Sequence, residues 1–159
     1  MRRVALAAVL RALVAAGVLC GAMATAGQNV ALEKRLTPGE VEAVPPEIAG
    51  AGTSGLAAVR TRVLFGDPTK AELYTIELQV APNTTIQAHS HRDTRTAVVL
   101  EGLWYFGYGA TNEGTLLKAL PRGGFYTEPG GQPHFARTGP EGATVAISGY
   151  GPTDTVYVR

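Results

Sequence analysis

Short alternations of apolar and polar residues fill the chain from residue 57 onward. Residues 75–80 and 144–148 place every second side chain on one face, as half-buried β-strands do. Turn signals rich in glycine and proline separate such segments, and no helical period of any length occurs among them. The pattern predicts an all-β sandwich or barrel. The predicted strands are 59–65, 72–80, 85–91, 96–100, 103–108, 115–120, 125–128, 134–137, 144–150 and 155–158.

The first 26 residues differ from the rest and are predicted to be a signal peptide. Arg2 and Arg3 open the segment, which has no acidic residue, and the apolar run 12–24 is too short for a stable bilayer-spanning helix. Alanines near its end provide an A-x-A cleavage site. We therefore expect a periplasmic or secreted protein; the alternative is a retained membrane anchor.

Removal of residues 1–26 would change the charge and the chemistry of the chain. The sequence has 14 basic and 13 acidic residues, and three of the basic ones lie in this segment, so 11 would remain against 13 acidic residues. This balance of about −2 gives no reason to expect binding to nucleic acid or to an anionic membrane surface. The only cysteine, Cys20, would also be removed, which excludes disulfides and thiol chemistry.

Residues 27–56 are predicted to be an N-terminal extension, and residues 57–159 a single barrel domain. Pro38-Gly39, Pro45-Pro46 and the glycine-rich residues 50–55 interrupt any regular structure in the extension. The sequence leaves two alternatives open, in which this segment either wraps around the domain or is disordered. The barrel segment is long enough for one hydrophobic core.

Three histidines, the only ones in the sequence, are the strongest candidates for chemistry. His89 and His91 form an H-x-H pair at the end of a predicted strand, where alternation directs both imidazoles to one face. His134 follows a turn rich in proline and glycine, from which a barrel can present it opposite the pair. Such a cluster suits a metal ion; the alternative is a metal-free polar core.

The spacing around the first two histidines resembles a conserved motif of the cupin family. That motif is a glycine, five residues, H-x-H, three or four residues, a glutamate, six residues and a glycine. Asn83 replaces the first glycine and also tolerates a left-handed backbone. His89, His91 and Gly102 are then in register.

The second cupin motif is a glycine, five residues, P-x-G, two residues, a histidine, three residues and an asparagine. Gly123, Pro129, Gly131 and His134 match it, and Thr138 replaces the asparagine. The resemblance covers roughly residues 59–158. It implies an all-β double-stranded β-helix, or jelly-roll barrel.

The resemblance also implies that the three histidines bind a divalent metal ion, which would be Fe, Zn, Mn, Ni or Cu. The family's glutamate ligand, however, falls on Arg95 or on Thr96, and neither replaces a carboxylate. Arg95 either binds an acidic group of a substrate or points outward and pairs with a carboxylate such as Asp93, and we expect the outward orientation. Glu128 is a further carboxylate candidate for the metal's shell, although the motif gives no warrant for it.

Other side chains are candidates for a substrate pocket. Gln87 shares the predicted face of the H-x-H pair, and the phenols of Tyr105 and Tyr126 can orient a substrate oxygen. The candidates for catalysis are Arg95, Tyr105 and Glu128. The sequence contains no P-loop, dinucleotide-binding or hydrolase-triad pattern.

Two functions are compatible with these residues. The first is a metal-dependent enzyme, an oxidoreductase or isomerase, that acts on an oxygen-rich or carboxylated small molecule. The second is a non-enzymatic periplasmic ligand-binding or sensor domain, a role that the resemblance also allows. A third alternative is a metal-free barrel that mediates assembly, since cupins often form homodimers through barrel edges.

Overall fold

A computed structural model describes residues 33–48 and 50–159. Residues 36–159 form one compact unit. The predicted signal peptide therefore lies outside the described residues. Within the described ranges, no helix is long and apolar enough to cross a bilayer.

Strands make up nearly all of the regular secondary structure of the described chain, as the alternating pattern predicts. A five-residue helix, α1, and one 3₁₀ turn are the only helical segments in the described ranges. The elements in chain order are α1 (Pro38–Glu42), β1 (Val59–Phe65), β2 (Leu73–Val80), β3 (Thr85–Ser90), β4 (Arg95–Tyr108), the 3₁₀ turn (Gly114–Leu116), β5 (Lys118–Pro121), β6 (Phe125–Glu128), β7 (His134–Tyr150) and β8 (Val156–Tyr157).

The long strand β7 organises an eight-stranded antiparallel sheet. Its residues 143–150 pair with β2, its residues 134–137 pair with β3, and β4 pairs with it along both parts. β1 extends the sheet beyond β2, β8 lies beside β3, and β5 and β6 both pair with β4. Most strands of the barrel are therefore aligned by pairing with β7, either directly or through one neighbouring strand.

Two predicted turns are bends inside continuous strands. Residues 101–102 and 139–140 were expected to separate strands, but they lie within β4 and β7, so the prediction of separate strands there is wrong. Gly102 has a φ of 73°, and register shifts flank it. A Cβ at this position would lie 2.2 Å from the carbonyl oxygen of Gly142. Glycine therefore permits a bulge in a strand that continues past it.

Apolar side chains from β2, β4 and β7 fill the barrel. Ile76, Val99, Val145 and Ile147 are almost completely buried, and they come from alternating positions of their strands. Phe106 extends this core toward the histidines, since its ring centroid lies 5.4 Å from that of His134. The candidate site is therefore continuous with the hydrophobic core.

The described part of the extension contacts the barrel. Thr37 and Glu40 form a capping box at the start of α1, in which Glu40 accepts a 2.7 Å hydrogen bond from the Thr37 amide. Glu47 forms a β-bridge with Thr61 of β1. Thr53 is buried. The described residues of the extension therefore pack against the barrel, which is the first of the two alternatives for this segment.

The motif position occupied by Asn83 has the backbone conformation expected for it. Asn83 has a φ of 53° in the turn between β2 and β3. Thr138, which stands where the motif has asparagine, accepts a hydrogen bond from the amide of Thr84 at 2.9 Å and donates one to the carbonyl of Ala81 at 2.7 Å. These bonds tie the turn that begins β3 to the middle of β7.

Candidate metal centre

The fold brings the three histidines together from two neighbouring strands. His89 lies near the end of β3 and is paired in register with His134, the first residue of β7. His91 follows the last residue of β3. The ring centroids are 4.5 to 5.1 Å apart, and one ring nitrogen from each residue lies within 4.8 Å of the other two. The predicted cluster is therefore present as a geometric unit that could hold a metal ion.

Each imidazole is oriented by a main-chain carbonyl. The Nδ1 atoms contact the carbonyl oxygens of Gln87, Asp154 and Gln132, at 2.7 Å for His89 and 3.1 Å for His134. A carbonyl only accepts, so each Nδ1 carries the hydrogen and each Nε2 keeps its lone pair. This is the tautomer in which Nε2 binds a metal, with the opposite nitrogen hydrogen-bonded to the protein.

Burial keeps the three rings neutral. Their exposed fractions are 6% for His89, 2% for His91 and 1% for His134. Burial, followed by the neighbouring His134, lowers the pKa of His89 to about 4, and burial together with Arg95 lowers the pKa of His91 to about 3. Burial also lowers the pKa of His134. At neutral pH, protons therefore do not compete for the Nε2 lone pairs.

The donor set fits a divalent ion of the kind that prefers imidazole. Among the described residues, His134 Nε2 is buried without a hydrogen-bond partner, which is costly unless another ligand takes its lone pair. Nitrogen ligands that share one ion at about 2.0–2.1 Å are roughly 3 to 3.5 Å apart. The separations between these nitrogens, now up to 4.8 Å, would therefore shorten by at most about 1.3 to 1.8 Å around an ion.

Arg95 points into the barrel, not outward. It is 2% exposed, its Nε donates to Glu128 Oε2 at 2.5 Å, and its Nη1 donates to the carbonyl of Gly52 at 2.9 Å. The Asp93 carboxylate instead accepts a 2.6 Å hydrogen bond from the hydroxyl of Tyr74. The expectation of an outward arginine paired with Asp93 is therefore wrong, because the buried Glu128 carboxylate provides the counter-charge inside.

Arg95 also contacts the histidine cluster directly. Its Nη2 lies 2.5 Å from His91 Nε2 and bonds Glu128 Oε2. In this arrangement the guanidinium donates to the lone pair that a metal would use. The alternative role for Arg95, binding an acidic substrate group, is also not supported here, since Glu128 already compensates its charge.

Glu128 is the carboxylate closest to the three rings. It is 3% exposed, and its Oε2 lies 3.7 Å from His91 Nε2 and 3.9 Å from His134 Nε2. Burial opposes its ionisation, but the adjacent Arg95 together with His134 and His91 more than offsets this, so its pKa lies below the ordinary value. The site thus holds one buried anion, one buried cation and three neutral imidazoles.

Two of the three predicted pocket residues do not face the interior. The side chain of Gln87 is exposed, because a register shift between Ile86 and His89 breaks the alternation that placed it beside the histidines. Tyr105 lies on the opposite face of β4 from Trp104, and its ring lies under the guanidinium carbon of Arg137 at 4.9 Å. The predictions that Gln87 and Tyr105 line the pocket are therefore wrong.

Tyr126 does lie at the site. It is 5% exposed, and together with Glu128 and His134 it lines an enclosed cavity of about 20 Å³. Its hydroxyl makes no hydrogen bond of normal geometry within the described residues. Burial, followed by the charge of Glu128, raises its pKa well above the ordinary value, so the phenol stays protonated and is available as a donor.

Residues 52–54 and β8 lie beside the site and contact each other. The carbonyl of Gly52 contacts Arg95, and the hydroxyl of Tyr157 in β8 donates to the carbonyl of Ser54 at 2.5 Å. The ring of Tyr157 lies 5.6 Å from that of His89. A larger open cleft, of about 540 Å³, is lined by residues that include none of the three histidines.

Sequence reasoning missed the groups that orient the site. Asp154 provides the carbonyl for His91, and its carboxylate binds the amide and Nε of Arg92, each at 2.8 Å. Main-chain acceptors such as those of Asp154 and Gly52 have no residue-type signature. Glu128, in contrast, was a candidate from the sequence, where it is the only acidic residue inside the second motif.

Comparisons with known proteins bear on the fold. No protein-family model and no curated protein matches the chain. An RmlC-like cupin from Shewanella frigidimarina is similar with a TM-score of 0.55 and 18% identity, over 74% of this chain and 91% of that one. The polyketide cyclase RemF from Streptomyces resistomycificus is similar with a TM-score of 0.58 and 23% identity, over 80% and 87%.

A third similar structure, described as one of DMSP lyases, has a TM-score of 0.56 and 18% identity, over 69% of this chain and 57% of that one. At these identities the likeness concerns architecture. It agrees with the antiparallel eight-stranded sheet. The chain therefore has the cupin fold.

Proposed function

We propose that this chain is an exported, metal-binding cupin that acts as a small metal-dependent enzyme on an oxygen-rich or carboxylated small molecule. One observation carries the metal-binding part. All three imidazoles are buried and neutral, each donates through Nδ1 to a main-chain carbonyl, and one ring nitrogen of each lies within 4.8 Å of the other two. A polar core without a metal does not explain why His134 Nε2 is buried with no hydrogen-bond partner among the described residues.

The three histidines would hold the ion, and the residues around them suggest how a substrate is bound. A bound zinc would supply Lewis acidity, whereas iron, manganese, nickel or copper would also support dioxygen chemistry or an isomerisation. The Tyr126 hydroxyl, protonated and without a hydrogen-bond partner, donates to a substrate oxygen that enters the cavity. Phe106 and Trp104 provide apolar walls that exclude water.

Enzymes among the similar structures support the catalytic part of the proposal. RemF is a polyketide cyclase, and another similar structure is described as that of DMSP lyases. The cupin fold hosts many activities, so the reaction follows from the site and not from the fold. In this chain the reaction is restricted to a small substrate, or to one admitted when residues 52–54 and β8 move apart.

A non-enzymatic ligand-binding or sensor domain is the second candidate. The size of the cavity favours it: about 20 Å³ has room for a single water molecule but not for an organic substrate. In a sensor the metal would serve as a structural anchor in a closed site, and residues 52–54 would report the presence of a ligand outside the cavity. No catalytic group beyond the cluster is then required.

Export and assembly are part of the same proposal. The basic start at Arg2 and Arg3, the short apolar run and the alanines near residue 26 support a periplasmic or secreted protein. A homodimer is supported by exposed apolar side chains on strand surfaces, including Val98, Phe125 and Tyr150. A small molecule is the partner that the enclosed site would bind.

Elemental analysis of the purified protein, prepared without a polyhistidine tag, tests metal binding, on which both candidate functions depend. We expect one metal ion per chain after loading, and loss of that ion in His89→Ala and in His134→Ala. Glu77→Gln is the matched control, since it breaks the 3.1 Å ion pair with Arg62 on another part of the sheet. If the wild type takes up no stoichiometric metal under any loading condition, the metal proposal fails.

The binding of an added anion tests which of the two candidate functions is correct. Azide added to the cobalt-loaded protein should change its visible absorption spectrum if a coordination position is open to small molecules, as an enzyme requires. An unchanged spectrum at saturating azide would favour a closed site and the sensor candidate. The same titration in Tyr126→Phe reports whether the phenol contributes to binding of the anion.

A further inference from the structure

The carboxylate that the first motif lacks is present on the neighbouring strand. In that motif the position of Arg95 on β4 is occupied by a glutamate. Arg95 is paired in register with Glu128 of β6. Directly opposite residues of an antiparallel pair point to the same face, so Glu128 enters the same interior space that a carboxylate at position 95 would enter.

The distances place this carboxylate within reach of a shared ion. Glu128 Oε2 lies 3.7 Å from His91 Nε2 and 3.9 Å from His134 Nε2. Two ligand atoms on one ion are roughly 3 to 3.5 Å apart. These two separations exceed that range by only a few tenths of an ångström, which places Glu128 within reach of an ion held by His91 and His134.

The charges explain why a carboxylate is needed beside Arg95. A dication held by three neutral imidazoles alone would face the buried guanidinium, and two such charges repel strongly in a medium of low dielectric constant. Glu128 Oε2 already contacts Arg95 and lies toward the histidines. An anion in this position attracts both cations.

We propose that Glu128 on β6 is the fourth protein ligand of the metal, in place of the glutamate that the motif has on β4. Arg95 is then a positioning residue that holds this carboxylate at the site. This inference rests on the metal binding proposed above. Arg95 is itself held by the carbonyl of Gly52 at 2.9 Å. When the metal binds, Arg95 gives up its bond to His91 Nε2 and keeps its bond to Glu128.

Metal affinity tests this assignment without any assay of activity. Dissociation constants for Zn²⁺ are measured by competition with a chromogenic chelator, for the wild type and for Glu128→Gln, His134→Ala and Glu77→Gln. We expect Glu128→Gln to weaken binding by at least about tenfold, comparable to or greater than the loss of an outer-shell partner. Glu77→Gln, which breaks another buried ion pair, should leave the affinity unchanged.

The outcomes distinguish the ligand assignment from the metal site itself. If the wild type binds Zn²⁺, His134→Ala does not, and Glu128→Gln binds as tightly as the wild type, then Glu128 is not a ligand and the three-histidine site stands. If the wild type binds no metal, both proposals are overturned. If His134→Ala binds as tightly as the wild type, the metal lies elsewhere, and both are again overturned.

Glu128→Gln leaves Arg95 buried without its anion, so the variant is at risk of not folding. A second pair of variants covers that case. Arg95→Met keeps the carboxylate, and Arg95→Met with Glu128→Gln removes both charges together. We expect the first to bind Zn²⁺ at least about tenfold more tightly than the second. Equal affinities for the two variants would overturn the assignment.

Discussion

The hydroxyl of Tyr157 donates a 2.5 Å hydrogen bond to the carbonyl of Ser54 and so joins segments more than a hundred residues apart in the chain. Both segments lie at the histidines: the ring of Tyr157 is 5.6 Å from that of His89, and Gly52 contacts Arg95. Because β8 has only two residues, this bond contributes a substantial share of its attachment. We infer that access to the metal centre requires these two segments to separate.

Tyr157→Phe should speed the exchange of metal. The substitution removes one hydrogen bond, costs about 1 kcal/mol, and leaves the ring in place. We expect faster release of Zn²⁺ to an excess of chelator, with a much smaller change in the dissociation constant. Tyr150→Phe, at an exposed tyrosine, is the control. Equal release rates for Tyr157→Phe and the wild type would show that this bond does not control access.

The metal-free protein should lose stability as the pH falls below neutrality. The pKa values of His89 and His91 are about 4 and about 3 in the folded protein, against 6.5 ordinarily. Below pH 6.5 the unfolded chain therefore binds protons that the folded chain does not, and unfolding becomes more favourable until the folded-state pKa values are reached. Thermal melts of chelator-treated protein should give a Tm that rises with pH between about 4 and 6.5.

His89→Asn provides a check on the source of this pH dependence. The asparagine amide can donate to the carbonyl of Gln87 as Nδ1 does, but it does not titrate. The slope of Tm against pH should be smaller in this variant than in the wild type. A slope that is unchanged would assign the pH dependence to other groups.

Two buried tyrosines should respond differently to loss of their hydroxyls. Tyr126→Phe removes a hydroxyl without a normal hydrogen-bond partner, so the free energy of unfolding of the metal-free protein should be unchanged or slightly higher. Tyr74→Phe removes the 2.6 Å hydrogen bond to Asp93 and should cost about 1–3 kcal/mol. Denaturant titrations measure both, and destabilisation of similar size in the two variants would contradict the assignment of Tyr126 as an unpaired donor.

Gly102→Ala should destabilise the barrel more than Gly123→Ala. Both glycines have positive φ, 73° and 83°, so both substitutions carry the backbone cost of about 1–2 kcal/mol. Only at Gly102 would the new Cβ also meet a main-chain atom, 2.2 Å from the carbonyl oxygen of Gly142, whereas no atom lies within 4 Å at Gly123. The urea midpoints of the two variants measure the loss of stability. Equal losses would argue against the close approach of β4 to β7 at Gly102.

The parts of the site that depend on local spacing could be predicted from the sequence. His89 and His91 are two residues apart, and His134 follows a turn whose glycines and proline are visible in the sequence, so the cluster and the fold follow from the motifs. Gln87 could not be placed in the same way. The bulge between Ile86 and His89 interrupts an alternation that the sequence itself continues.

The orientation of Arg95 could not be predicted for a different reason. It depends on Glu128, which lies 33 residues away and becomes a direct neighbour only when β4 pairs with β6. A glycine in the sequence is compatible with a turn that ends a strand and with a bulge inside one. The continuity of β4 at residue 102 and of β7 at residue 139 was therefore not predicted. Long-range pairing decides all of these features.

The carbonyl acceptors of the three imidazoles also have a consequence for engineering. Because the atoms that fix the tautomers belong to the main chain at residues 87, 132 and 154, replacing the side chains there leaves the acceptors in place. Directed evolution can therefore vary the side chains of Gln87 and Gln132 without removing the acceptors that set the protonation pattern of the ligands.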